Sequence, residues 1–295
     1  MTISDADESP PDDVRIAVAI PCFNEAAAIG IVIAQFRAAL PGAEIVVFDN
    51  NSTDGSGAIA RGLGVRVLEV PQQGKGHAVR AAFAALGEFD VVVLTDGDGT
   101  YPAEAALLLI APVLEDLADM AVGARQPAPG AGAMTFTRGL GNRLIRAAFR
   151  LLIGPGNTDL LSGYRAFNRR YRAAVKLRSE GFEIETELAS EAVARGLRVI
   201  EVSIPYHARV AGTQSKLRAF RDGWRILATI LRQGVRLRPA RLVLLWVVPC
   251  LVAALTIHWG FAAAAGLGIL ALWGLFLAEL RSRRVARRNP EDPPG

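Results

Sequence analysis

The first two-thirds of the chain alternate short apolar runs with longer segments of helical periodicity. The apolar runs predict four strands: Ile16 to Ile20, Ile45 to Phe48, Val65 to Val70 and Val91 to Leu94. Helical patterns follow the first three strands, over about residues 25–39, 53–63 and 75–86. Strands separated by single helices indicate βαβ units. We therefore predict an α/β fold with a mainly parallel sheet and helices on both of its faces.

Two apolar stretches near the C-terminus differ from the rest of the chain. Leu242 to Trp259 and Gly260 to Ala278 contain no Lys, Arg, Asp or Glu. At about 1.5 Å per residue, each stretch nearly crosses a hydrocarbon core of roughly 30 Å. We expect a transmembrane helical hairpin over residues 241–280. A buried hairpin inside a soluble domain is the alternative.

Arginines flank the predicted hairpin on both sides. Those before it are Arg232, Arg236, Arg238 and Arg241, and those after it are Arg281, Arg283, Arg284, Arg287 and Arg288. Basic residues mark the cytoplasmic ends of membrane spans. We therefore predict a two-helix protein of the cell inner (plasma) membrane, with its N-terminal domain and a basic tail over residues 281–295 in the cytoplasm.

The segment before the hairpin, residues 213–240, predicts a basic amphipathic helix. Its apolar residues recur at helical spacing, at Leu217, Phe220, Trp224, Leu227 and Leu231. Its arginines cluster on another face, at Arg218, Arg221, Arg225 and Arg232. Such a helix can lie among lipid headgroups. It can also pack its apolar stripe on the N-terminal domain, and the sequence leaves both arrangements open.

Composition sets the remaining boundaries. The chain has 295 residues, of which 51% are apolar, enough for one globular domain over residues 14–212 besides the membrane segments. Residues 1–13 are acidic and lack the pattern of a signal peptide, so we predict a disordered tail. Cys22 and Cys250 fall in very different segments. A disulfide is therefore not expected, and a reducing compartment fits.

Three polar clusters follow predicted strands, at the sheet edge where ligands of α/β folds bind. The clusters are Pro21 to Glu25, Asp49 to Asp54 and Asp96 to Thr100. In the last one, Asp96 and Asp98 flank Gly97 directly after a buried strand. Mg²⁺ and Mn²⁺ prefer carboxylate oxygens, and a nucleotide diphosphate needs such a cation. The triplet thus indicates a metal-bound nucleotide, although a turn with a helix cap would explain it in isolation.

Taken in order, the motifs resemble those of family-2 glycosyltransferases. The resemblance is carried by Pro21-Cys22-Phe23-Asn24-Glu25, Asp49-Asn50-Asn51-Ser52-Thr53-Asp54, Gly74-Lys75-Gly76-His77-Ala78 and Asp96-Gly97-Asp98. Three later motifs resemble those of the dolichyl- or polyprenyl-phosphate sugar synthase branch. They are Gly123-Ala124-Arg125, Asp159 to Arg165 and Gln214 to Leu217. The resemblance covers about residues 15–232. Asn50 stands where many members have Asp, and Thr100 stands where close mannose synthases have a metal-binding Gln.

The resemblance implies a GT-A fold, an inverting transfer from a nucleotide-sugar and a polyprenyl phosphate acceptor. The implied donor-binding residues are Pro21, Asn24, Glu25, Asp49, Lys75, Asp96 and Gly97. Asp98 is the implied main metal ligand, and Asp96 is placed on the metal or the ribose, with Mg²⁺ or Mn²⁺ as the cofactor. Helix capping is the alternative role for Asn24 and the favoured one for Asp54. For Lys75 the alternative is a solvated surface lysine.

The acceptor side needs cations more than it needs a base. A lipid phosphate is largely ionised near neutral pH, because its second pKa is roughly 6 by analogy with phosphorylated side chains. Cationic groups can hold it and stabilise the leaving diphosphate. The candidates are Arg125, Arg138, Arg165, Arg209 and Lys216, together with the hydroxyl of Ser162. Glu183 and Glu185 are candidates for a base or for sugar binding, with ordinary helix surface as the alternative.

The sequence therefore predicts a metal-dependent, inverting hexosyltransferase. It would move a sugar from a UDP- or GDP-sugar to an undecaprenyl- or dolichyl-type phosphate at the cytoplasmic membrane face. The alternatives are a family-2 enzyme with a glycan, glycolipid or small phosphorylated acceptor, and a non-catalytic membrane scaffold. A processive polysaccharide synthase is disfavoured, because the chain lacks a Gln-x-x-Arg-Trp motif. Nucleic acid is not an expected partner, and a homo-oligomer stays open.

Overall fold

A computed structural model of the chain describes residues 14–127, 136–210, 219–256, 271–276 and 279, with only the backbone described for 127, 136–140, 219–220 and 251–256. The strands are β1 (Ile16–Cys22), β2 (Glu44–Asp49), β3 (Arg66–Glu69), β4 (Val91–Leu94), β5 (Met120–Pro127), β6 (Arg165–Asn168) and β7 (Val199–Tyr206). The helices are α1 (Ile29–Ala39), α2 (Ser56–Gly62), α3 (Lys75–Ala85), α4 (Ala106–Leu114), α5 (Phe136–Leu152), α6 (Arg169–Ala174), α7 (Ile184–Arg195), α8 (Ala219–Leu237) and α9 (Pro239–Thr256).

The strands form one sheet of mixed direction, in the order β3-β2-β1-β4-β6-β5-β7. β1 pairs in parallel with β2 and β4, whereas β6 runs antiparallel to both β4 and β5. The four predicted strands are all present, and the α/β class with a largely parallel sheet is confirmed. The antiparallel insertion of β6 brings the 159–165 segment beside β4.

Alternating side chains of β1 place a hydrophobic core on each face of the sheet. Val18 and Ile20 face the core covered by α1 and α4, and Ala17 and Ala19 face the core covered by α3 and α7. Helix α1 buries a stripe at helical spacing, from Ile29 through Val32 and Ile33 to Phe36. Burial of each such side chain contributes about 1.5–3 kcal/mol. Both sheet faces are therefore covered, which leaves the strand ends as the place for chemistry.

Two helices begin later than the sequence predicts. Helix α1 begins at Ile29, although the pattern starts near Glu25, and α2 begins at Ser56. The backbone N–H of Glu25 donates to Ser56 Oγ at 2.8 Å, and that of Ala26 donates to Asp54 Oδ2 at 2.9 Å. The residues before α1 therefore tie the β1–α1 loop to the β2–α2 loop instead of extending the helix.

A third hydrophobic cluster joins α5, α7 and α8. Ile226 and Ile230 of α8 are buried against Phe149 of α5 and Ala189 of α7. The predicted apolar stripe, for which the sequence left packing and membrane contact open, is divided: Leu227 packs against this cluster, whereas Trp224 is 73% exposed and Leu231 is 52% exposed. The stripe therefore packs on the N-terminal domain only in part.

The predicted hairpin is only partly within the described residues. Helix α9 covers most of the first predicted span, and residues 271–276 of the second are helical. Across the described ranges, no helix combines the length and the apolarity needed to cross a membrane. The hairpin over residues 241–280 stays a prediction. The two predicted tails, 1–13 and 281–295, lie outside the described residues.

Candidate active site

The ends of β1, β2 and β4 meet at one edge of the sheet. Cys22 pairs with Asp49 in the β1–β2 register. Beyond the end of β4, Thr95 N–H donates to the Ala19 carbonyl at 3.1 Å, so the chain stays beside β1 as it enters Asp96. The three polar clusters singled out in the sequence are therefore brought together, as the parallel arrangement of these strands requires.

Asp98 is almost fully buried and has partners on both oxygens. Its Oδ1 accepts hydrogen bonds from the Thr100 N–H at 3.1 Å and from Thr100 Oγ1 at 2.7 Å. Its Oδ2 lies 2.8 Å from Arg209 Nη1, which follows β7. Thr100, at the position of the expected Gln, therefore orients Asp98 through a hydroxyl. The sequence could not show that Arg209 contacts Asp98, because the two residues are more than a hundred positions apart.

Lys75 lies between two carboxylates. Its Nζ is 2.5 Å from Asp96 Oδ1 and 2.6 Å from Glu185 Oε1. The Lys75 side chain is 9% exposed and that of Glu185 is 4% exposed, so neither is a solvated surface group. Burial by itself lowers the pKa of Lys75, but the two carboxylates outweigh burial and the pKa is raised. Lys75 is therefore held as a cation inside the site.

Gly163 and Tyr101 complete the surroundings of this ion-pair group. A Cβ on Gly163 would lie 2.7 Å from Lys75 Nζ and 2.9 Å from Asp96 Oδ1, so a larger residue would displace the side chains of this ion pair. The Gly163 N–H donates to the Tyr101 hydroxyl at 3.0 Å. Burial, with the nearby Asp96 charge, raises the pKa of Tyr101 well above its usual value. Tyr101 was not among the predicted site residues, since nothing in its local pattern separates it from a core aromatic.

Arg125 is held by a bidentate ion pair. Its Nε is 2.6 Å from Asp159 Oδ2, and its Nη2 is 2.8 Å from Asp159 Oδ1. The guanidinium also stacks over the Tyr206 ring, 5.3 Å from the ring centroid. Burial lowers the pKa of Arg125, but Asp159 outweighs it and the pKa is raised. A quarter of the side chain stays exposed, so Arg125 is a fixed and accessible cation.

Arg165 and Ser162 do not have the accessibility expected of phosphate ligands. Both are 0% exposed. The Arg165 guanidinium donates to the backbone carbonyls of Leu160, Ser162 and Glu185, at 2.9, 2.9 and 3.0 Å. Their side chains hold the 160–165 segment in place, which corrects the expectation that they contact substrate. A fully buried arginine satisfies its donors internally, and the sequence could not show this.

The other acceptor-side candidates lie in different environments. Glu185 is buried and pairs with Lys75, so it is not an ordinary residue of the helix surface. Glu183 is half-buried, and its Oε1 accepts a hydrogen bond from the Gly181 N–H at 3.1 Å. Arg138 lies in α5 with only its backbone described, and Lys216 lies outside the described residues. The structure therefore brings Arg125, Arg209 and Lys75 to the site as cations, and it leaves Arg138 and Lys216 as predictions.

The loops after β1 and β2 are joined by side-chain hydrogen bonds. Asn24 has a positive φ of 52°, and its Oδ1 accepts from the Thr53 N–H at 2.8 Å. Asn24 therefore bridges the two loops and does not cap α1. Asp54 Oδ1 accepts from the Ser56 N–H at 3.0 Å, but the N-cap residue of α2 is Gly55 and no side chain caps this helix, so the favoured capping role of Asp54 is wrong.

The second polar cluster is stabilised by Asn50. Its amide nitrogen donates to the carbonyls of Val70 and Gln72, at 3.2 and 2.6 Å, and its Oδ1 accepts from the Gly74 N–H at 2.6 Å. A carboxylate at this position could not donate the first two bonds. Asn50 thus fixes the segment that leads into Lys75. Its neighbour Asp49 accepts from the Ser52 N–H at 3.0 Å.

Asp96 and Asp98 are the residues that could hold a divalent cation. Among the residues that the structure describes, no group of three or more His, Cys, Asp and Glu side chains is arranged to hold a metal. Mg²⁺ is commonly bound by one or two carboxylates together with substrate phosphates. The pair therefore fits a site completed by a nucleotide diphosphate, and an ion on Asp98 Oδ2 would have to replace Arg209.

Comparison with known proteins decides the family. Residues 17–174 match the family model described as Glycosyl transferase family 2. The chain belongs to glycosyltransferase family 2. Glycosyltransferase AglJ of Haloferax volcanii is 37% identical over 224 residues, covering 76% of this chain and 73% of that protein. The family-2 glycosyltransferase is therefore an enzyme, as predicted, and the scaffold alternative loses its basis.

Two further relatives support the predicted branch. The dolichyl-phosphate hexose transferase of Haloferax volcanii is 34% identical, covering 74% of this chain and 92% of that protein. The polyprenol monophosphomannose synthase of Mycolicibacterium smegmatis is 30% identical, covering 67% and 79%. The predicted resemblance to the polyprenyl-phosphate sugar synthases is thereby confirmed.

A solved structure confirms the fold. Glucosyl-3-phosphoglycerate synthase from Mycobacterium tuberculosis, in complex with phosphoglyceric acid, superposes with a TM-score of 0.64 at 24% identity. The match covers 79% of this chain and 84% of that chain. At this identity the likeness is one of fold, and the GT-A-like architecture with a central sheet is established for the family-2 glycosyltransferase.

Proposed function

We propose that this glycosyltransferase transfers a hexose from a UDP- or GDP-sugar to a polyprenyl phosphate, with inversion, at the cytoplasmic face of the membrane. The observation that carries the proposal is the meeting of Asp96, Asp98, Lys75 and Arg209 at the end of β4. Relatives named for dolichyl phosphate and polyprenol support the lipid acceptor. A structural neighbour in complex with Mn²⁺ and UDP-glucose supports a nucleotide-sugar donor.

The donor side is built around the two carboxylates after β4. Asp98, oriented by Thr100, would be the main ligand of Mg²⁺ or Mn²⁺, and Asp96 would reach the metal or the ribose. A bound divalent cation would neutralise diphosphate oxygens and favour departure of the nucleoside diphosphate. Lys75 adds a fixed positive charge beside Asp96. Because Glu185 is paired with this lysine, we assign Glu185 an orienting role and not that of a base.

The acceptor side supplies positive charge without a base. Arg125 and Arg209 keep a quarter and a third of their side chains exposed, so both are accessible to a phosphate. In the proposed step, an ionised phosphate oxygen forms a bond to the anomeric carbon. The bond from that carbon to the diphosphate oxygen breaks, and its electron pair leaves with the nucleoside diphosphate. A single displacement of this kind inverts the anomeric centre.

Membrane attachment is the second part of the proposal. Helix α8 exposes Trp224, Leu231 and Val235, and its exposed arginines are Arg221, Arg225 and Arg232. An exposed face that combines large apolar side chains with arginines suits an anionic lipid surface. The predicted hairpin would provide the main anchor. Removal of residues 240–295 is expected to release the protein from membranes in high salt, and continued flotation with membranes would contradict the anchor.

The deciding experiment is a panel of labelled UDP- and GDP-sugars incubated with polyprenyl phosphate and Mg²⁺ or Mn²⁺. The expected result is a lipid-extractable labelled product with one of the donors. Asp98→Asn is the matched inactive control, because its amide keeps the size of the side chain and can still accept from Thr100. A product formed only with a glycan or a small phosphorylated acceptor would overturn the proposed acceptor class.

A further inference from the structure

Residues 178–181 pack directly against the backbone that carries Lys75. The Gly76 N–H donates to the Glu180 carbonyl at 2.9 Å. A Cβ on Gly76 would collide with the Ser179 carbonyl oxygen, so backbone meets backbone at this point. No side chain lies between the two segments to absorb a movement. A shift of residues 178–181 is therefore passed to the first turn of α3, where Lys75 begins the helix.

One buried carboxylate fixes residues 178–181. Glu187 Oε2 accepts from the Arg178 N–H at 2.9 Å and from the Ser179 N–H at 2.7 Å. Its other oxygen, Oε1, accepts from Gln233 Nε2 of α8 at 2.9 Å. Glu187 is 1% exposed, which makes these bonds hard for water to replace. The carboxylate thus uses one oxygen for the loop and the other for α8.

The partner on α8 is itself held in one orientation. Arg236 Nε donates to Gln233 Oε1 at 3.1 Å, so the amide nitrogen of Gln233 must point to Glu187. Gln233 is 5% exposed, one turn beyond the buried Ile230. A continuous set of contacts therefore runs from α8 through Gln233 and Glu187 to residues 178–181.

On the basis of the proposed function, in which Lys75 borders the nucleotide-sugar, we infer that Glu187 and Gln233 are positioning residues for donor binding. Neither side chain has a hydrogen bond to Lys75. They set the place of the loop on which Gly76 rests, and hence the place of Lys75 Nζ against Asp96. The proposed acceptor cations, Arg125 and Arg209, take no part in these contacts. Loss of the contacts should therefore weaken donor binding and spare acceptor binding.

The test compares two substitutions of buried carboxylates. Glu187→Gln removes the charge that faces the loop. Asp119→Asn makes the same kind of change just before β5, at a carboxylate that is 0% exposed and pairs with Arg198. We expect Glu187→Gln to raise the donor KM roughly tenfold above that of Asp119→Asn, with the acceptor KM unchanged. Equal donor KM values in the two variants would overturn the inference.

A reciprocal exchange provides a rescue that general instability does not predict. In the double variant Glu187→Gln with Gln233→Glu, the amide oxygen can still accept from the loop, and its nitrogen can donate to the new carboxylate. Arg236 can still donate to position 233. We expect this exchange to bring the donor KM back toward that of the unaltered enzyme. A folded double variant whose donor KM stays at the Glu187→Gln value would overturn the inference.

Gln233→Leu decides the matter if neither Glu187 variant folds. It removes only the bond from α8, and a donor KM raised about threefold or more would support the positioning role. A donor KM equal to that of the unaltered enzyme would contradict it. Failure of the proposed function would look different, since the unaltered enzyme itself would then form no lipid-extractable product with any donor.

Discussion

The guanidinium of Arg209 lies on the carboxylate of Asp98, with Nη1 2.8 Å from Oδ2. The other oxygen of Asp98 already accepts two hydrogen bonds from Thr100. Oδ2 is therefore the oxygen that a divalent cation would reach, and Arg209 has to leave it when the cation binds. The same movement would free the arginine for a phosphate oxygen of the acceptor.

Arg209→Gln tests this competition. Removing the arginine should lower the Mn²⁺ concentration needed for half-saturation in the presence of UDP or GDP by roughly fivefold, the scale of a partly exposed ion pair. Electron paramagnetic resonance of free Mn²⁺ measures the binding directly. Arg221→Gln, an exposed arginine of α8, is the matched control. A variant at position 209 that needs more Mn²⁺ than the unaltered protein would contradict the competition.

Lys75→Met tests the buried ion-pair group. The substitution leaves Asp96 and Glu185 without their shared cation, and loss of one partner of a buried pair costs about 3–5 kcal/mol. Urea unfolding followed by circular dichroism measures the free energy of unfolding. Lys176→Met, at an exposed lysine, should change it by less than about 0.5 kcal/mol. Adding Glu185→Gln to Lys75→Met should recover part of the loss.

A spin label at position 224 tests the exposed face of α8. Cys250 is exposed and would also be labelled, so the label is placed in a Cys250→Ser background. Trp224→Cys should leave the melting temperature unchanged, because the side chain is 73% exposed. In full-length protein reconstituted into phosphatidylglycerol-containing vesicles, the label is expected to be accessible to oxygen and shielded from a water-soluble nickel reagent. A label at Arg80→Cys, on the exposed side of α3, should show the opposite. Equal water accessibility at the two positions would refute membrane contact by this face.

The Cys22 thiol gives a prediction about pH. Burial raises its pKa to about 12 from an ordinary value of 9.0. In a Cys250→Ser background, we expect no alkylation by iodoacetamide at pH 8 in the folded protein and full alkylation in urea. Because the folded pKa is the higher one, the neutral thiol favours folding below pH 9.0, and this contribution is lost as the pH rises toward about 12. Rapid alkylation of the folded protein would contradict the burial.

Much of the fold was predictable because its signals are local. The strand β4 is four consecutive apolar residues, and α1 buries positions at helical spacing. The carboxyl ends of parallel strands meet at one edge, so the order of strands and polar clusters was enough to predict that the clusters beginning at Asp49 and Asp96 would lie at the same edge of the sheet. The antiparallel β6 was not predicted, since pairing direction depends on contacts between distant segments.

The candidate site was predictable in its residue types and less so in its contacts. Asp98 and Lys75 could be chosen from motif and spacing alone. Arg165 carries the same positive charge as Lys75 and also stands in a family motif. Its guanidinium is nevertheless buried and donates to three backbone carbonyls. Burial of a polar side chain depends on which acceptors the fold brings to it. This information is spread over segments far apart in the chain.

By itself, the sequence determined the α/β architecture, the family and the set of carboxylates and cations at the strand ends. Periodicity and motif order depend on residues that are close in sequence, so they can be recognised without a structure. Only the tertiary structure decided which charges are paired, with Lys75 between Asp96 and Glu185 and Arg209 on Asp98. Charge pairing follows distance in space, and distances of a few ångströms between remote segments are set by the packing of the whole domain.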